Sequence, residues 1–137
     1  MILIMHLFSV KDIELVTSPT STSIFKGETN LVRYLSRRFN LFNANNAGDI
    51  AAAHTDLILD TIYSEICWGS AANVSKMASN ILEPVLKKSQ FLGDSKMTMA
   101  DLYAFALVSN EKGKNSSAIQ EWLKRCDKAI KSHQGNF

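Results

Sequence analysis

From residue 47 to residue 131 the apolar residues recur at helical spacing, and that restricts the chain to folds in which helices pack on helices. Ile50, Ala53, Leu57, Ile58, Thr61, Ile62 and Ile66 form a stripe on a predicted helix over 47–68. Gly69-Ser70 ends that helix, because glycine is the usual residue just past a helix C-terminus. A second helix is predicted over 72–89, with apolar residues at 74, 77, 78, 81, 82, 85 and 86. Pro84 lies inside it, and a proline there removes one hydrogen bond and crowds the preceding turn, at ~3 kcal/mol. A kink or a break is expected at that point. Two more helices follow, over 99–110 and 117–131, the last with Ile119, Trp122, Leu123, Cys126 and Ile130 on one side.

The first part of the chain reads differently. Residues 2–10 are apolar with β-branched members, the pattern of a buried strand, and 13–16 is a second candidate strand. Pro19 and its Ser/Thr neighbours form a turn, and Ile24-Phe25 closes a short hairpin. Leu31, Leu35 and Phe39 then recur every four residues, so 28–39 is predicted helical. The stretch 40–46 is rich in asparagine and reads as a linker. The expectation is therefore a mainly α protein: a strand-and-helix remnant over 1–39, a linker over 40–46 and a helical domain over 47–137.

The most specific local signal is Met97-Thr98-Met99-Ala100-Asp101-Leu102. Thr98 is placed as an N-cap, and the Asp101 carboxylate three residues later can reach back to the Thr98 N–H, which is a capping box. Met97 and Leu102 are spaced as its hydrophobic staple. Asp101 also stands where the helix dipole favours a negative charge. The expected role of Thr98 and Asp101 is structural.

Composition narrows the functional classes. The chain has 137 residues, 46% hydrophobic, with a net charge of +2, so neither nucleic acid nor an anionic membrane is demanded as a partner. The apolar N-terminal run is too short to span a bilayer and lacks the pattern of a secretory signal. Cys67 and Cys126 have no CxxC neighbour or metal-ligand spacing; both are expected on apolar helix faces, as small hydrophobes in a reducing compartment. His6, His54 and His133 are scattered, and the only acid–base spacing they offer is His54 with Asp56 or Asp60. No HExxH, GxSxG or P-loop occurs. No catalytic, cofactor-binding or metal-ligating residue is expected. Arg33 and Arg37, one turn apart, and Lys124, Arg125 and Lys128 near the end are the candidate interface residues.

The stretch Phe91-Leu92-Gly93-Asp94-Ser95-Lys96-Met97-Thr98-Met99-Ala100-Asp101 resembles the signature of the glutathione-transferase C-terminal domain, Phe-Leu-x-Gly-x-x-x-Ser/Thr-x-Ala-Asp, with Gly93 one place early. Gly27-Glu28-Thr29-Asn30-Leu31-Val32-Arg33-Tyr34-Leu35 resembles the third helix of that family, and Trp122-Leu123 its tryptophan-bearing last helix. The resemblance implies a helical bundle of that type behind a truncated thioredoxin-like half. It implies no activating Ser, Tyr or Cys, because the matching segment starts after the strand–helix junction that carries one. Glu28-Thr29 resembles the pair that holds the γ-glutamyl group, with Thr29 read here as a helix-start residue. Degenerate members of the family dock onto one another in translation, so the resemblance implies a cytosolic scaffold. Its partners would be aminoacyl-tRNA synthetases or related scaffold proteins with domains of the same type, or a second copy. The other readings are a glutathione transferase or a fragment of one, and a tRNA-binding accessory domain; no cofactor is expected.

Overall fold

A computed structural model describes residues 13–20, 24–46, 48–67, 73–111 and 115–134, and among these the protein is mainly helical with one small two-stranded sheet. The strand expected over 2–10 lies outside the described residues. Strands β1 (Glu14–Val16) and β2 (Ile24–Lys26) pair antiparallel, with Leu15 opposite Phe25. The ladder is extended by Gly27, whose N–H donates to the Ile13 carbonyl at 2.9 Å. Gly27 has φ 92°, a left-handed conformation that glycine adopts without a steric penalty, and it turns the hairpin directly into helix α1 (Glu28–Arg38).

The asparagine-rich stretch is wound rather than extended. Leu41–Asn46 winds into a 3-10 helix. Asn40 and Phe42 both take positive φ, 47° and 53°, which asparagine tolerates and phenylalanine rarely does. The turn is held by asparagine side chains: the Asn40 amide oxygen accepts the Asn45 N–H, and the Asn45 amide donates to the Arg37 carbonyl at the end of α1. Phe42 packs against the core, which compensates for its strained backbone.

Helix α2 (Asp49–Cys67) follows. Its buried residues are Leu59 and Ile62, with Ile58 and Ile66 packed beside them. The stripe read from the sequence is therefore only half a core face, because Ile50 is 88% and Leu57 63% exposed. Those two sit on the outer side of the helix, while Asp56, which the stripe omitted, turns inward toward α1. Cys67 is exposed rather than set on an apolar face.

The proline-containing segment breaks as its sequence requires. It consists of α3 (Asn73–Met77), a π-helical turn (Ala78–Leu82) and α4 (Glu83–Leu86). Glu83 N–H bonds the Ala78 carbonyl, five residues back. The wider turn comes just before Pro84, where the missing N–H and the ring would otherwise disrupt an α-helical ladder. Met77, Ala78, Leu82 and Leu86 all reach the core across this change of winding.

Helix α5 (Met99–Ser109) is the central element and touches α1, α2, α3, α6 and the 3-10 helix. It is apolar on nearly every side, as a surrounded helix must be. Ala100 and Ala104, both fully buried, let its neighbours approach closely. Helix α6 (Ser117–Gln134) closes the bundle with Ile119, Trp122 and Cys126 inward. No helix among the described residues is long and apolar enough to cross a membrane.

Candidate functional site

Asp101 is fully buried, and both of its carboxylate oxygens are engaged. Oδ1 accepts the Leu92 N–H at 2.8 Å and the Trp122 indole N–H at 3.0 Å. Oδ2 accepts the Thr98 N–H and the Thr98 hydroxyl, each at 2.9 Å. The capping box is thus in place, and the same carboxylate also fastens the 91–94 turn and helix α6. With all these donors directed at it inside the core, Asp101 has neither an open face nor a free lone pair for a substrate. The Trp122 bond was not foreseen from sequence. The only prior signal was a tryptophan on the core stripe of the last helix, whose indole N–H needs a partner when buried.

Around α1 and α2 an ion-pair network replaces the free arginines expected from sequence. Arg33 meets Asp56 through Nε at 3.1 Å and Asp60 through Nη2 at 2.6 Å. It also donates to the Asp56 carbonyl and to the Asn30 side chain, so its head group is held from both helices. Its side chain is only 16% exposed. Burial alone would lower its pKa, but the hydrogen bond to Asp60 and the charges of Asp60 and Asp56 outweigh burial and raise it. Arg37 is half exposed and meets the other Asp56 oxygen at 2.6 Å. Asp56 and Asp60 are spaced like Arg33 and Arg37, four residues apart, so the match was readable in the sequence once the two helices are paired. His54 is exposed and lies two residues before Asp56 and six before Asp60, hence on a different side of α2 from both, a solvated polar residue rather than half of an acid–base pair.

Two apolar strips flank this network. On one side Phe25 and Tyr34 stack with ring centroids 5.5 Å apart, beside the exposed Arg38. On the other side lie Ile50, Ala53 and Leu57, on the outer face of α2. Beneath the network a cavity of about 50 Å³ is bounded by Leu41, Phe42, Ala52, Met99, Arg37 and Asp56. It has room for a few waters, well short of the ~300–1,000 Å³ of a ligand pocket.

The Glu28-Thr29 pair is committed internally. The Tyr103 hydroxyl donates to Glu28 Oε2 at 3.0 Å, and Thr29 is 3% exposed. Burial, and then the charge of and hydrogen bond to Glu28, raise the Tyr103 pKa above its ordinary value.

The second candidate surface lies on α6. Lys124 and Lys128 are exposed and form no ion pair among the described residues. Arg125 is partly covered: its Nε donates to the Gln90 carbonyl at 3.2 Å, and Nη1 lies 3.9 Å from Glu121. Beside it an open groove runs between the end of α4 and the start of α6, lined by Leu86, Lys87, Lys88, Ser117, Ala118 and Arg125 among others. Lys87 is paired with Glu83 at 2.8 Å, whereas Lys88 has no such partner among the described residues. Cys126 is sealed in the core, where burial and the charge of Asp101 push its thiol up to about 12. No group of His, Cys, Asp or Glu among the described residues is placed to hold a metal ion.

No protein-family model matches the chain, and no curated protein does either.

Proposed function

We propose that this protein is a non-catalytic docking module of a cytosolic translation assembly, a glutathione-transferase-like bundle resembling multifunctional protein 2, the scaffold of the multi-tRNA-synthetase complex. The observation that carries this reading is the outer face of α2. There Ile50 and Leu57, two turns apart on one side of the helix, stand 88% and 63% in water next to the Arg33–Asp56–Asp60 network. Exposed apolar residues beside charges already matched within the chain suit a protein-binding face, in which covered apolar area gives affinity and the flanking polar groups set register. The internal use of Glu28, Thr29 and Asp101 also supports it, since these are the residues that a ligand-binding reading would need free.

The test is affinity capture from cytosol with the tagged protein, followed by identification of what is retained. Synthetases, elongation factors or scaffold proteins with domains of the same type are expected with the wild type, and Leu57→Asp should lose them. Recovery of none of these, or equal recovery by the variant, overturns the reading.

A further inference from the structure

Arg33 and Arg37 are neutralised by Asp56 and Asp60, so the α1–α2 face offers a partner little net charge at its centre. Lys88, Lys124 and Lys128, which form no ion pair among the described residues, lie elsewhere. Ser117, Glu121, Lys124 and Lys128 follow one another at spacings of four, three and four, and therefore share one face of α6. Ser117 and Glu121 belong to the α4–α6 groove, so Lys124 and Lys128 lie on the same face of α6 beyond it. Lys88 and Arg125 line the groove as well. Leu86 and Ala118 are its apolar lining residues.

We infer that the α4–α6 groove and the lysine row beyond it form a second docking site, for an acidic peptide segment of a partner protein. Lys88, Lys124 and Lys128 meet its carboxylates, and a small apolar side chain seats over Leu86 and Ala118. A polynucleotide fits less well. Among the described lining residues no aromatic ring offers bases a surface to stack on. The site depends on the docking role proposed above and adds the chemistry of a second partner to it.

A fluorescein-labelled synthetic peptide of glutamate, leucine and serine, titrated by anisotropy at low salt, tests it. The wild type binds, and binding weakens as salt rises. The triple variant K88E/K124E/K128E loses roughly tenfold or more in affinity, while R38E, which changes an exposed arginine of α1, binds like the wild type. The milder K124Q/K128Q, which removes both charges without reversing them, shows an intermediate loss and guards against a folding defect in the triple variant. Absence of wild-type binding, equal binding by the triple variant, or a single-stranded RNA oligonucleotide displacing the peptide at lower concentration each overturns the inference. None of these results bears on capture through Leu57, so this site and the α2 face fail separately.

Discussion

The Trp122 indole N–H donates to Asp101 Oδ1 at 3.0 Å, joining the last helix to the first turn of the central one inside the core. Both residues are fully buried. One carboxylate therefore does three things: it caps α5, receives the 91–94 turn through Leu92 and holds α6. Breaking it leaves several buried donors without partners, each costing ~1–3 kcal/mol. Asp101→Ala is expected to lose at least ~3 kcal/mol in urea unfolding. Asp101→Asn, which turns an amide NH₂ toward two of the donors, is expected to lose nearly as much.

Gly93 sets the approach of the same turn. A Cβ there would collide with the Thr98 Cγ2 methyl. Thr98 cannot yield easily, because its hydroxyl and N–H are both tied to Asp101. Gly93→Ala should destabilise the fold by ~1–3 kcal/mol, the usual cost of overpacking. Gly93→Ala combined with Thr98→Ser, which removes that methyl, should recover much of the loss. The urea midpoints of the two variants make the comparison.

Arg33 and Arg37 share Asp56 but differ in exposure, 16% against 54% of the side chain. An exposed pair contributes ~0–1 kcal/mol and is screened by salt. Losing Arg33 leaves Asp56 and Asp60 facing each other without their main counter-charge. Arg33→Met should cost ~2 kcal/mol and vary little with salt. Arg37→Met should cost under ~1 kcal/mol, less still at high salt. Denaturation at two ionic strengths separates the two.

The cysteines should divide cleanly. Cys67 is exposed and should react with a thiol reagent in the native protein; Cys126 should react only on unfolding. The Cys126 thiol keeps its proton to about pH 12 when folded, against 9.0 for a free thiol. The unfolded chain thus gives up that proton first, and the contribution to stability, complete below pH 9.0, is lost as pH rises toward 12. Cys126→Ala should flatten the alkaline limb of the stability profile.

Ile50→Asp and Leu57→Asp should leave stability within ~0.5 kcal/mol of the wild type, because both side chains already stand in water. Any loss of partner capture in these variants is then a loss of surface. Melting and capture measured on the same preparations check this.

Much of the fold was legible because helical periodicity, glycine stops and the Thr98–Asp101 spacing are local signals. The hairpin, α1, the break at Pro84 and the last helix follow from them. What escaped depends on partners distant in sequence. The stripe on α2 takes in Ile50 and Leu57 and misses Asp56, since nothing within that helix tells which flank will meet arginines from α1. Asparagine composition pointed to a linker, and only cross-bonds from Asn45 to Arg37 and from Asn40 to Asn45 make it a 3-10 turn. The surface lysines were visible as charges, but which of them lack a counter-ion is a property of the packed helices.

The π turn at Ala78–Leu82 has a consequence for anyone probing this region. It advances the chain by an extra residue in one revolution, so positions before Ala78 and after Leu82 do not lie on a common helical wheel. A scan of cysteine labels or charge reversals along 73–86, plotted at a single angular step, would show two offset accessibility patterns that resemble two separate binding faces. The same scan plotted with its phase reset at the π turn should collapse onto one buried side.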